Sequence, residues 1–415
     1  MSKKSAHFYG WRVVAAAFTV AVFGWGLGFY GPPVYLDALI RSRGWSVATV
    51  SGAITVHFLI GVLVITNLPA LHRRFGLPLV TVMGAVLLAL GVLGWASAQA
   101  PWQLYAATVL SGAGWPALGA AAVNAIISPW FVRKRPAALS TAYNGASIGG
   151  VIFSPLWVAL IERQGFETAA LMIGGFMLLV IVGLALTVLR QTPESMGQVP
   201  DGDMPVDAQV ASAASSDAVA VRSLFRDWAF VTLSFGMAVA LFAQIGLLAH
   251  LVSLLVPRLG VQGAGLAAGL STAAAILGRQ CMGWFMPVHA DRRLMASLSL
   301  CVQVLGCLCL LFAASGWDAG LIAGVVLIGL GIGNATSLPP LIAQIEFSKS
   351  DTARVVAMIV ALSQATYAFA PALFGFVRQT LSEQAVYSLA IALQVVAMTG
   401  YLIGRKAYQK RVEPR

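Results

Sequence analysis

The chain has 415 residues, 59% of them hydrophobic and only 10% charged, with a mean hydropathy of +0.84 and a formal net charge of +11. This composition excludes an ordinary soluble domain and reads as a helical protein that crosses a bilayer many times. The basic residues fall in short clusters between apolar runs, so they report membrane orientation and form no nucleic-acid surface.

Lys3 and Lys4 precede the first apolar run, as they would in a signal peptide. The run from Val13 to about Tyr35 is too long for one, and it is read as a retained first helix. Twelve spans are laid out in order: 11–38, 47–70, 78–98, 102–128, 136–160, 168–190, 226–255, 262–287, 293–315, 319–344, 353–378 and 385–405. With the N-terminus inside, twenty Lys and Arg fall on the cytoplasmic side and five outside, while Arg279 stays within a span. That bias places both termini in the cytoplasm. The expected fold is thus an all-α membrane protein with 12 transmembrane helices.

The first span ends in FGWGLGFYGPPVYLDAL. Pro32 and Pro33 should break the helix there, and the freed carbonyls need protein cover or a cavity. Phe29, Tyr30 and Tyr35 are candidates to wrap an apolar solute; an aromatic belt at the outer interface is the alternative for Tyr35. His57, in the second span, faces either a central cavity or the contact between half-bundles. The fourth and fifth spans carry Asn124, Tyr143 and Asn144, polar groups that should line a pathway or bond between helices. Gly145 and Gly149, at helical spacing, permit close helix approach.

From Gln191 to about Ser223 the chain turns polar, in the stretch PESMGQVPDGDMPVDAQVASAASSDAV. It is too poor in large apolar groups to fold alone and reads as a flexible cytoplasmic linker. It divides the chain into an N-terminal six-helix bundle (1–190), the linker (191–225) and a C-terminal six-helix bundle (226–415). The two halves carry traces of one another. Phe131 matches Phe347 and Pro155 matches Pro371 at one offset, and Gly112 and Gly114 match Gly329 and Gly331 one residue further apart. Two pseudo-symmetric bundles built from a duplication would hold a site near the membrane midplane.

The seventh span carries His250 and Gln244. A neutral imidazole both donates and accepts, and its ordinary pKa suits proton exchange, so His250 is the candidate for proton coupling; a His satisfied by a backbone carbonyl is the alternative. The eighth span, GLAAGLSTAAAILGRQCMGWFM at 265–286, holds Arg279 as its one charge. A guanidinium in hydrocarbon costs roughly 2.5–3.5 kcal/mol even on insertion scales and does not shed its proton. Arg279 is therefore the leading candidate to bind an anion. Asn334, Gln344, Gln364 and Tyr367 are further polar groups in the tenth and eleventh spans. Cys281, Cys301, Cys307 and Cys309 all lie in apolar runs without metal-ligand spacing and read as buried free thiols. Gly329, Gly331 and Gly333 follow no strand, no Walker motif is present, and no nucleophile or metal cluster is found, so neither an enzyme nor a cofactor is expected.

Three segments carry a resemblance: FYGWRVV at 8–14, SPWFVRKRPAALSTAYNGASIGG at 128–150, and the lone Arg279. On these the chain resembles the major facilitator superfamily, and within it the monocarboxylate and oxalate/formate porter branch. The resemblance implies secondary transport by alternating access, and it assigns Arg279 to the substrate carboxylate. The chain departs from the branch where an Asp often sits one turn before that Arg, here Ala275, and in lacking a first-span or eleventh-span Lys. One cation suits a monocarboxylate, or a larger heteroaromatic, vitamin-like or flavin-like molecule with an acceptor-rich edge. Phe29, Tyr30, His250, Tyr143, Asn144, Gln364 and Tyr367 complete the expected binding set. The superfamily's signature between spans two and three survives only as Arg74 and Gly76, and its counterpart after span eight as Asp291 and Arg292; these four form the expected cytoplasmic gate. Thr108 stands where drug–proton antiporters have an Arg, which weakens a multidrug-efflux reading. Glu346 is expected to pair with Lys349. The expected protein is a monomeric, multi-pass symporter of the cell inner membrane. It would move a small-molecule solute with a proton or counter-solute, its only other partner the lipid bilayer.

Overall fold

The computed structural model describes residues 8–202, 224–287, 290–313 and 318–412, and every regular element among them is helical. The first six apolar runs form α1 (Gly10–Gly28), α2 (Gly31–Arg43), α3 (Val47–Phe75), α4 (Leu77–Ser97), α5 (Pro101–Gly114), α6 (Ala120–Ile127), α7 (Arg135–Gln164) and α8 (Phe166–Leu184). A 3₁₀ turn at Trp115–Leu118 joins α5 to α6, and a π-helical turn at Ala185–Leu189 ends α8. The rest form α9 (Trp228–Phe285), α10 (Arg292–Ala313), α11 (Asp318–Glu346), α12 (Lys349–Tyr367), α13 (Ala370–Thr380) and α14 (Glu383–Val412).

Eleven helical stretches among the described residues are long and apolar enough to cross a membrane. One of them, α9, has 58 residues. As one unbroken helix it would run about 87 Å, far more than the ~30 Å of hydrocarbon. Its helical geometry is broken at Gly260, which sits at φ 66° and ψ 173°. The expected seventh and eighth spans meet at that glycine.

The chain divides into two compact units, residues 1–45 with 56–208, and residues 46–55 with 209–415. The first turns of α3 thus group with the second unit, although hydropathy alone assigns the whole second span to the N-terminal half. The stretch read as a linker also divides. Its opening part, up to Gly202, is folded and bonded to the first unit, while residues 203–223 lie outside the described residues.

Each unit supports the internal duplication through its own packing. A side chain at Gly112 would run into the backbone of His57 on α3, and one at Gly114 into the backbone of Gly84 and Leu88 on α4. In the second unit a side chain at Gly329 would strike the backbone of Ser271 on α9, and one at Gly331 would strike Ser299 and Gln303 on α10. The matched glycines therefore do the same work in both halves: each pair lets one helix pass close to two neighbours. Without a hydrophobic force between helices in lipid, such backbone approach is a main source of association.

All four cysteines are free. Only Cys307 is fully buried; Cys301 and Cys309 are half-buried, and Cys281 is exposed on α9, contrary to the expectation that all four lie inside.

Candidate functional site

In the first unit the expected break in the first span falls between α1 and α2, at Phe29 and Tyr30. The N–H groups of Phe29 and Tyr30 both turn back to the Trp25 carbonyl, at 3.0 and 2.8 Å, and Pro32 and Pro33 have no N–H to offer. Three successive carbonyls then look to side chains. The Trp157 indole donates to Gly26 O at 3.2 Å, the Tyr35 hydroxyl to Leu27 O at 3.3 Å, and His57 Nε2 to Gly28 O at 2.9 Å. This meets the demand that no backbone group go unserved at membrane depth.

His57 is held at both ring nitrogens. Because Gly28 O only accepts, Nε2 carries the proton, and Nδ1 accepts from Ser111 Oγ at 2.9 Å. Ser111 Oγ in turn accepts from the Trp95 indole at 3.1 Å. His57 is 1% exposed and stacks on Trp115 with centroids 5.7 Å apart. The structure places His57 within the packing of the first unit. His57→Phe is expected to strand the Gly28 carbonyl and to cost about 1–3 kcal/mol, the penalty for one unserved buried acceptor. Thermal unfolding of the purified variant checks this; an unchanged midpoint means the carbonyl has another donor.

Around this network sit the aromatic candidates. Phe29 lies 5.0 Å from Tyr30, 6.1 Å from Phe58 and 6.4 Å from Trp115, centroid to centroid, and both Phe29 and Tyr30 are partly exposed. Tyr35 does not join them and forms no interfacial belt. It is 1% exposed, packed on Trp95, Trp157 and Phe166. A group not singled out by sequence is Trp115. It is 6% exposed, and its indole N–H has no partner among the described residues. On α7, Tyr143 is half-buried; its hydroxyl donates to Ala120 O at 3.1 Å and accepts from Asn124 Nδ2, while the neighbouring Asn144 is exposed. Arg74 is exposed with its guanidinium over the Phe75 ring, and Gly76 begins α4 at φ 78°, a conformation that only glycine adopts without strain.

In the second unit Arg279 is half-buried on α9. The preceding Gly278 is pressed on the Leu330 carbonyl, and a side chain at Gly333 would meet the Ala275 carbonyl and the Arg279 Cβ. Arg279 therefore stands where α9 and α11 approach backbone to backbone. His250 is fully buried; its Nε2 donates to Pro371 O at 3.1 Å, and its Nδ1 has no partner among the described residues. Gln244 is 5% exposed with its Oε1 likewise unpartnered. Tyr367 and Gln364 are both half-buried and hydrogen-bond to each other.

Several charged residues at the ends of the second unit are bonded. Asp291 Oδ1 accepts from Leu294 N at 3.0 Å, and its other oxygen pairs with Arg405. Arg292 donates to Leu341 O at 3.2 Å. Glu346 pairs with Arg293, Nε to Oε1 at 2.6 Å and Nη2 to Oε2 at 2.7 Å, with side chains 5% and 2% exposed, while the side chain of Lys349, its expected partner, lies outside the described residues. Arg293 also donates to Thr232 Oγ1 at 3.1 Å and to Ala229 O at 2.9 Å. Local sequence gives Arg293 no more than the first position of the ninth expected span. The signal that finds it is Gly404, whose α-carbon lies against the Arg293 guanidinium and leaves no room for a side chain.

Comparison with known proteins agrees with this architecture. The model of the Major Facilitator Superfamily matches residues 14–371. The chain belongs to that family: it is a multi-pass membrane transporter and not an enzyme. It is 40% identical to MFS transporter asaE of Aspergillus flavus over 91 residues, which are 21% of this chain and only 20% of that relative. It is 26% identical to monocarboxylate transporter 11 of Homo sapiens over 344 residues, covering 80% of this chain and 69% of the relative. In fold it is similar to the crystal structure of a bacterial homologue of the human lysosomal transporter Spinster, inward-facing and unoccupied. That likeness has a TM-score of 0.72 at 15% identity, with 98% of each chain covered.

Proposed function

We propose that this protein is a secondary transporter of a small organic anion, a monocarboxylate in the first instance, working by alternating access with proton symport or exchange. In this reading α9 crosses the bilayer twice, the chain crosses it twelve times, and both termini face the cytoplasm of a cell whose inner membrane holds a monomer. The observation that carries the proposal is Arg279, a permanent cation on an otherwise uncharged apolar helical run. A guanidinium presents two parallel N–H groups to a carboxylate and fits it as a fork. The relatives named as monocarboxylate transporters support the same class.

Phe29 and Tyr30 are the first unit's candidates for the apolar part of the solute. The Trp115 N–H is a neutral donor there and favours a second reading, a larger heteroaromatic solute with acceptors along its edge. His250 is the proposed proton site, anchored through Nε2 and buried with Nδ1 unpartnered among the described residues. Tyr143, Asn144, Gln364 and Tyr367 are the further solute contacts proposed, and Arg74, Gly76, Asp291 and Arg292 the inner gate.

The test is counterflow into proteoliposomes with radiolabelled monocarboxylates and, in parallel, vitamin-like heteroaromatics, with and without a pH gradient, for the wild type and His250→Gln. Exchange of monocarboxylates, accelerated by the gradient in the wild type alone, is the expected result. Exchange of the heteroaromatics only moves the assignment to the second reading. A gradient response unchanged in His250→Gln removes His250 from coupling.

A further inference from the structure

The motif PESMGQVPDGD after the sixth span is not used by the transport reading. Its geometry is specific. Glu194–Met196 forms a short 3₁₀ turn, the chain then makes a tight turn through Pro200 and Asp201 closed by Gly202 N donating to Val199 O at 3.0 Å, and between them Gln198 reaches back to accept from the Tyr9 amide at 2.9 Å. Asp201 is the one described non-glycine residue at positive φ, 64°, and it is 8% exposed. Its Oδ2 accepts from the amides of Val132 at 3.2 Å and Arg133 at 2.7 Å, and its Oδ1 from that of Lys134 at 3.0 Å. Its own amide donates to Trp130 O at 2.9 Å, and Lys134 Nζ lies 3.4 Å from its carbonyl.

Three successive backbone N–H groups converging on one carboxylate make an anion nest. The nest sits just before α7, so the positive end of that helix dipole adds to it. Aromatic packing closes the assembly: Phe8 meets Trp130 and Phe131 edge-on at 6.3 and 5.4 Å, Tyr9 lies 5.5 Å from Trp130, and Gly202 packs on the Phe8 ring. An Asp in a left-handed conformation is uncommon and costs energy, which the five hydrogen bonds of that one residue offset.

We propose that residues 193–202 are a clasp, not a tether, and that the backbone nest at 132–134 is an internal binding site whose ligand is the Asp201 carboxylate. The clasp joins three parts of the first unit that are far apart in sequence: the segment before α1, the loop between α6 and α7, and the chain leaving α8. Asp201 is its positioning residue. It holds the loop bearing Arg133, Lys134 and Arg135 in one arrangement, and the connection toward the second unit begins after Gly202 instead of at the end of α8.

Burial alone pushes the Asp201 carboxyl up, but the amides of Arg133, Lys134 and Val132 and the Arg133 charge outweigh it and hold the group below the usual carboxylate range. A group depressed in the folded state contributes its full stability above its ordinary pKa and loses it as pH falls through the lowered value. The clasp is therefore closed at neutral pH.

The test is hydrogen exchange of the whole protein in lipid nanodiscs at neutral pH, comparing the wild type with Asp201→Asn, Asp201→Ala and Gln198→Ala. In Asp201→Ala the amides of 132–134 are expected to exchange at least about tenfold faster. Asp201→Asn, which keeps one acceptor and loses the charge, falls between Asp201→Ala and the wild type. Gln198→Ala frees the Tyr9 amide and leaves 132–134 protected. The helices of residues 228–412 keep wild-type exchange throughout. Unchanged exchange at 132–134 in Asp201→Ala overturns the proposal. An equal rise across all of α1–α8 overturns it too, because it makes Asp201 a general stabiliser of the unit and not the ligand of one loop. The readout needs no knowledge of the transported solute, so its failure is distinct from failure of the transport reading.

Discussion

Glu346→Ala is expected to destabilise the second unit by about 3–5 kcal/mol, because it leaves the Arg293 guanidinium charged, buried and without its anion. The pair is bidentate, both side chains are almost wholly enclosed, and Arg293 ties together α9, α10 and α11 while Gly404 on α14 packs against it. For a unit of this size the loss corresponds to a fall of about 6–20 °C in the unfolding midpoint. The informative control is the double variant Arg293→Met with Glu346→Leu. Removing both charges removes the desolvation cost along with the attraction, so the double variant should unfold close to the wild type or above it. Thermal unfolding of the purified proteins in one detergent reads both. A single variant as stable as the wild type would show that water reaches the pair and screens it. A double variant no better than the single would show that the helices depend on the polar bonds of Arg293 to Thr232 and Ala229.

Arg279→Ala is expected to raise the apparent KM for anion uptake steeply without comparable loss of stability. Truncating one partner of a desolvated charge pair costs about 2–5 kcal/mol of binding. The lower end of that range is roughly a thirtyfold rise in apparent KM and the upper end several thousandfold. Arg279→Lys keeps the charge but loses the fork, so it should recover part of the affinity and not all of it. Gly333→Leu tests the same residue from the other side, by filling the space beside the Arg279 Cβ that lets α9 and α11 meet. Initial uptake rates in proteoliposomes, set against protein amount and unfolding midpoint, separate binding from folding. Wild-type KM for carboxylates in Arg279→Ala would remove the residue from the site.

Much of the architecture was legible in local sequence. Apolar runs of about twenty residues mark the spans because the hydrocarbon core demands that length. Pro32 and Pro33 mark the break after α1 because proline has no N–H to give. The glycine pairs 112/114 and 329/331 mark a duplication because each half needs close backbone approach at the same place. What was not legible was which groups answer those demands. The break requires donors for its carbonyls, but nothing nearby in sequence says that they come from Trp157, Tyr35 and His57. The same distance hides the burial of Tyr35, which local sequence offers as a solute-wrapping or belt aromatic, the pairing of Glu346 with Arg293, and the folding of residues 193–202, which local sequence reads as part of a flexible tether.

Hydropathy, helix breaking and charge bias are properties of a short window of chain, and they suffice for the membrane class and the approximate spans, while the superfamily was legible only as a resemblance carried by residues 8–14, residues 128–150 and Arg279. Pairing is different. Arg293 with Glu346, His57 with Gly28 and Asp201 with the amides of 132–134 each join segments that the folded bundle brings together. The energy of such a contact depends on burial and on the angle of approach, and neither quantity exists until the helices have packed.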